Sequence, residues 1–193
     1  MPLADIFSLK KQLVLYGAHH NNKVNVAIHM VFVPVIFWTA LVFGARTGPL
    51  VRLPASLSFL KPFGPNLSFF TVAGYSLYYT LLDPIASALY APFLYGMCYT
   101  ATNFERQHAN AIPIALTGHV VAWIAQFLGH GVAEKRSPRL MDNLVQALVS
   151  APYFVFFEVL FKLGYRPQLY KEMMEDVNKD IAEFRRRKGI KDQ

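Results

Sequence analysis

Acidic residues are scarce in this chain: 12 Asp and Glu stand against 19 Lys and Arg, and charges of either sign make up only 16% of its 193 residues. An ordinary soluble domain carries about 25%. This shortage excludes a disordered chain, which needs high charge and low hydrophobicity. It also argues against a soluble enzyme with a well-charged surface. Cysteine occurs once, at Cys98, which excludes an internal disulfide framework and any CxxC zinc or thioredoxin motif. The sequence has no GxSxG elbow, no HExxH and no glycine-rich phosphate loop. Sustained period-two alternation is missing, and so is any internal repeat. No DNA- or RNA-recognition pattern accompanies the net charge of +7, so nucleic acid is not expected as a partner.

What is there is apolar. Hydrophobic residues make up 54% and aromatics 15%. Charge is absent from Val24 to Ala45, Pro62 to Leu82, Pro84 to Phe104, Gln107 to Ala133 and Asn143 to Phe157. A bilayer-spanning helix needs about 20 mostly apolar residues. Four of these windows are long enough, and the fifth is shorter, with Glu158 and Lys162 beyond it. The basic residues sit between them: Lys10, Lys11 and Lys23; Arg46, Arg52 and Lys61; Lys135, Arg136 and Arg139; then Arg185 to Lys188. Basic residues at membrane edges meet anionic headgroups, which accounts for the net charge and makes membrane lipid the expected surroundings. The first apolar window begins too late, and lacks the small-residue cleavage site, for a secretory signal peptide. It reads as a retained helix, and no lipidation or retrieval signal is evident.

The pattern predicts an all-α, multi-span membrane bundle of five or six apolar helices with a charged amphipathic helix at the C-terminus. A single domain over 1–193 is expected: a surface helix and polar break to about residue 23, the bundle over 24–165, and the tail over 166–193. Residues 3 to 17 read as an amphipathic helix closed by Gly17. Asn22 is placed to cap the next helix, which passes through Pro34 and should kink there. Residues 44 to 66, rich in Gly and Pro, read as a loop. Asp83-Pro84 divides a second helix from a third. A fourth runs from Asn110 to at least Leu128, and a fifth from Met141 to Leu163.

Six histidines are present, four of them in or beside apolar windows: His20, His29, His119 and His130. A polar ring there is costly unless something satisfies it. His19 and His108 sit in polar breaks and read as loop residues. His29 follows Asn25 at i,i+4, so the two share a helix face. His119 and His130 are eleven residues apart, which returns to within about 20° of the same face but with a rise of about 16 Å. One metal can bind both only if the helix bends or unwinds at Gly129-His130-Gly131; otherwise two metals are needed. Gln126 and Glu134 lie on the same stripe. Cys98, inside an apolar helix, reads as inert, and Glu158 with Lys162 as a helical ion pair.

Two blocks carry a resemblance. The first is Tyr16 to His29 (YGAHHNNKVNVAIH), followed by Val33-Pro34. The second runs from Gly118-His119 through Trp123 to Gly131 (WIAQFLGHG), then Glu134 and Pro138, with Ala151-Pro152 and Glu158 further on. The pairing of HxxxxNxxxH with WxxQFxGHxxxE resembles the fungal and bacterial 2-hydroxy-fatty-acid dioxygenase family, over about residues 5 to 165. The resemblance implies a multi-pass enzyme of the endoplasmic reticulum membrane that acts in phytosphingosine long-chain-base breakdown. It would use Fe(II) and O2 to shorten a 2-hydroxy fatty acid by one carbon. The ligands it implies are His20, His29, His119 and His130; His20 is taken over His19 because it stands five residues before Asn25. Imidazole suits ferrous iron, and a 2-hydroxy carboxylate can itself chelate the metal, so no 2-oxoacid is required. Gln126 and Asn25 are candidates to hydrogen-bond substrate or oxygen. Glu134 and Glu158 are candidates to orient histidine N–H groups. Two other classes fit the histidine pattern: a haem-binding electron-transfer protein with axial histidines on facing helices, and a non-catalytic membrane scaffold or transporter.

Overall fold

A computed structural model describes residues 3–136 and 144–189. Pro138, Arg139 and the expected fifth-helix start at Met141 lie outside the described residues. Every regular element among the described residues is helical: α1 (Leu3–Ile6), α2 (Leu9–Gly17), α3 (Lys23–Ala45), a 3-10 segment (Ala55–Phe63), α4 (Leu67–Leu82), α5 (Pro84–Gln107), α6 (Ala111–Leu128), a π-helical turn (Gly129–Glu134), α7 (Leu144–Lys162) and α8 (Pro167–Lys188). The chain divides into two compact units, Met1–His29 with Phe127–Gln193, and Met30–Gln126.

The first unit is built on α2, which packs against α7 and α8. Leu9, Leu13 and Tyr16 from α2, Phe154 and Phe157 from α7, and Met173 and Val177 from α8 are buried. Met173 and Val177 stand at i,i+4, the spacing that gives α8 one apolar face. Gly17 permits the close approach, since a Cβ there would lie 3.0 Å from a Val177 methyl. Arg136 reaches both Asp180 and the Ala18 carbonyl at 2.8 Å and lies over the Phe184 ring. The single N-terminal helix expected over 3–17 is two helices, because Ser8 is extended (φ −94°, ψ 106°). Helix α3 begins beside Asn22, whose side chain accepts from Val24 N at 2.9 Å, as expected of a capping residue.

The second unit centres on the α4–α5 pair. Asp83 accepts from Ile85 N and Ala86 N at 3.1 Å, and Pro84 occupies the first turn of α5. The break is therefore a direct helix-to-helix corner. Asn66 caps α4 through Phe69 N and donates to Thr102. Val72, Tyr79, Ala86, Leu94 and Cys98 fill the interface.

Two helical segments, Lys23–Ala45 and Ala111–Glu134, are long and apolar enough to cross a bilayer, and a third counts only if Leu148–Lys162 and Pro167–Lys188, bent by 120°, form one span. This corrects the expected five or six. Freedom from charge is a weaker property than apolarity. Helix α4 has only 16 residues, α5 carries Ser87, Thr100, Thr102 and Asn103 along its length, and α7 carries Glu158 and Lys162. Ile114, Val121 and Ile124 on α6 and Leu77 and Leu81 on α4 are exposed, a surface compatible with lipid contact.

Candidate metal centre

Three histidines converge inside the first unit. His20 lies in the turn between α2 and α3, His29 in the second turn of α3, and His130 in the π-helical turn. All three are buried, at 6%, 4% and 4% exposure. Their ring centroids are separated by 4.3 Å (His20–His29), 4.7 Å (His20–His130) and 4.9 Å (His29–His130). One nitrogen from each lies within 4.8 Å of the others, so the three could hold a metal ion.

Local backbone geometry aims two of the rings. His20 Nδ1 is 2.9 Å from the Tyr16 carbonyl, and His29 Nδ1 is 2.8 Å from the Asn25 carbonyl. A carbonyl only accepts, so Nδ1 carries the proton and donates in both rings, leaving each Nε2 with a free lone pair. Such an anchor on the far nitrogen is the usual support of a metal-binding imidazole. The third ring, His130, has a buried Nδ1 with no hydrogen-bond partner. Burial, reinforced by the His29 and His130 imidazoles, holds the His20 pKa well below its ordinary value of 6.5. The ring is therefore neutral and able to act as a ligand at neutral pH.

The surroundings are aromatic on one side and tightly hydrogen-bonded on the other. Tyr16 stacks on His20 at 3.7 Å and 11°, and Phe154 stacks on Tyr16 at 3.9 Å. The Tyr16 hydroxyl is buried without a partner. Burial, with the negative charge of Glu158 added, pushes the Tyr16 phenol pKa up, so it stays a proton-bearing donor. On the other side Asn25, fully buried, donates from Nδ2 to the His19 carbonyl and to Glu134 Oε2. Glu134 also accepts from the main-chain N–H groups of Asn21 and Asn22. Gly129 is required here, because a Cβ would stand 2.5 Å from Asn25 Oδ1.

The remaining sequence candidates have other settings. His119 belongs to the second unit, on α6. Its Nδ1 is 2.8 Å from Thr39 Oγ1, and its Nε2 accepts from Trp123 Nε1 at 2.9 Å. Thr39 passes its own proton to the Val35 or Ile36 carbonyl, so His119 Nδ1–H is the donor and both ring nitrogens are engaged. Gln126, also in the second unit, is buried with an unpartnered Nε2. Glu158 sits on α7, one turn beyond Phe154, and acts on Tyr16. His108 is exposed at the end of α5 and stacks on Phe104. Sequence reasoning assigned no role to Tyr16, although its i,i+4 spacing to His20 repeats that of Asn25 to His29. It also sought carboxylates for the histidine N–H groups, where two of the three rings use main-chain carbonyls.

Fold and site together define a class: an all-helical protein with lipid-compatible surfaces and a buried trihistidine cluster aimed by its own backbone. The chain belongs to the Mpo1-like family, whose model, described as 2-hydroxy-palmitic acid dioxygenase Mpo1-like, matches residues 6–163. It is 36% identical over 174 residues to the 2-hydroxy-palmitic acid dioxygenase MPO1 of Saccharomyces cerevisiae, covering 89% of this chain and 91% of that protein. No solved structure matches.

Proposed function

We propose that this chain is an Fe(II)-dependent dioxygenase that converts a 2-hydroxy fatty acid and O2 into the fatty acid one carbon shorter. The observation that carries the reading is the buried His20–His29–His130 cluster inside the segment that matches the family. Three buried neutral imidazoles, one with an orphaned nitrogen, fit a divalent transition metal, and imidazole suits iron. Iron held by these three would serve as a Lewis acid, activate O2 and orient a substrate that chelates through its carboxylate and 2-hydroxyl. The stoichiometry closes with O2 as the only oxidant: R–CH(OH)–COOH plus O2 gives R–COOH, CO2 and H2O, with the C1–C2 bond broken.

The protein's own groups take the remaining roles. Anchored Nδ1–H groups keep His20 and His29 aimed, with each Nε2 left as the free lone pair. The Tyr16 ring excludes water from one side of His20, and its hydroxyl donates to the anionic head of the substrate. The apolar tail enters from the bilayer. His119 is left out of this ligand set, because Thr39 and Trp123 occupy both its nitrogens; it joins α3 to α6. In keeping with the family resemblance, we place the enzyme in the endoplasmic reticulum membrane as a multi-pass protein, in phytosphingosine breakdown.

The test pairs metal analysis of anaerobically purified protein with a 2-hydroxypalmitate turnover assay. About one iron per chain, no Soret band and a C15 acid product are expected. Folded protein that takes up no Fe(II) and makes no C15 acid would refute the proposal.

A further inference from the structure

We propose that Glu134 is a positioning residue, which sets the spacing of the three histidines by tying their three segments to one carboxylate. The inference rests on the metal-site reading above and extends it. Glu134 Oε1 accepts from Asn21 N at 3.1 Å. Its Oε2 accepts from Asn22 N at 3.0 Å and from Asn25 Nδ2 at 3.0 Å. The partners adjoin two of the histidines, and Glu134 itself adjoins the third. Asn21 directly follows His20. Asn25 stands one helical turn before His29 and offers it the carbonyl that fixes its ring. Glu134 itself stands four residues after His130, at the end of the same π-helical turn.

The chemistry demands a carboxylate. The main-chain N–H groups at the start of a helix have no intrahelical acceptor. Asn22 supplies its side chain to Val24 N and Asn25 N, while its own N–H and that of Asn21 turn to Glu134. Two oxygens thus receive three donors from the His20 turn and the first turn of α3. An amide has one acceptor oxygen and would turn N–H against N–H at the other. Asn25 Nδ2 extends the tie to the His19 carbonyl at 3.3 Å. Glu134 meets none of the three rings in this network; it acts through the backbone that carries them.

The experiment titrates detergent-purified, metal-free protein with Co(II), following the visible d–d bands, with helix content checked by circular dichroism. Glu134→Gln should keep its helix content, weaken Co(II) binding by about 10–100-fold and alter the d–d bands. Glu134→Gln with wild-type affinity and wild-type bands overturns the inference. If that variant does not fold, Asn25→Ala decides. It removes one arm of the tie and leaves the main-chain carbonyl that holds His29. Weaker binding with altered bands supports the inference, and wild-type values overturn it. Wild-type protein that binds no Co(II) removes the metal-site reading itself, and the inference with it, a result distinct from equal binding by wild type and variant.

Discussion

Tyr16 supports a ligand and, in the proposed reading, meets the substrate. Its carbonyl holds His20, its ring covers His20, and its hydroxyl has no partner of its own. Replacing it by Phe retains the first two contributions and removes the third. Tyr16→Phe should therefore bind Co(II) as the wild type does, but lose about tenfold in kcat/KM, the worth of one hydrogen bond of about 1.4 kcal/mol. Loss of metal affinity in this variant would show that the hydroxyl supports the ligands instead. His119 gives the opposite expectation. His119→Ala strands the Thr39 and Trp123 donors and acceptors and should cost about 1–3 kcal/mol of stability, read as a lower melting temperature. Its Co(II) affinity should match the wild type; abolished binding would return His119 to the ligand set.

At the scale of elements, the π-helical turn carries the most weight. In a regular α-helix eleven residues separate His119 and His130 by about 16 Å along one stripe. The sequence marks Gly129-His130-Gly131 as the place for an interruption, and the structure has one there, from Gly129 to Glu134. Its register is not legible in the sequence, because a π turn is a one-residue insertion that no periodicity announces. The cap at Asn22 and the break at Asp83-Pro84 were legible, because capping and proline chemistry are local. The Glu134 network was not, since its partners lie more than a hundred residues away in the chain. Deleting Val132, which is exposed in the π turn, should restore α-helical register, keep helix content and abolish Co(II) binding. Unchanged binding would mean that the π turn does not place His130.

For the whole molecule, the apolar windows pointed to more spans than the helices can supply, since two, or at most three, are long and apolar enough to cross a bilayer. A window without charge can still be a short helix such as α4 or a hydroxyl-rich one such as α5, and helix length with sustained apolarity separates these from the candidate spans. The two strong segments, Lys23–Ala45 and Ala111–Glu134, carry His29 and His130 near their ends. Two such segments should hold the full-length protein in the membrane fraction through alkaline carbonate washing. Release by carbonate would mean that these helices lie on the bilayer instead of crossing it.

The two anchored imidazoles point their Nδ1 protons at main-chain oxygens, and every residue type supplies a main-chain oxygen. Substitution at position 16 alters a wall of the site without unhooking His20, whereas position 25 keeps the His29 anchor but loses an arm of the Glu134 tie. Natural variation can thus explore new substrate shapes around an inner framework that drift cannot easily erase.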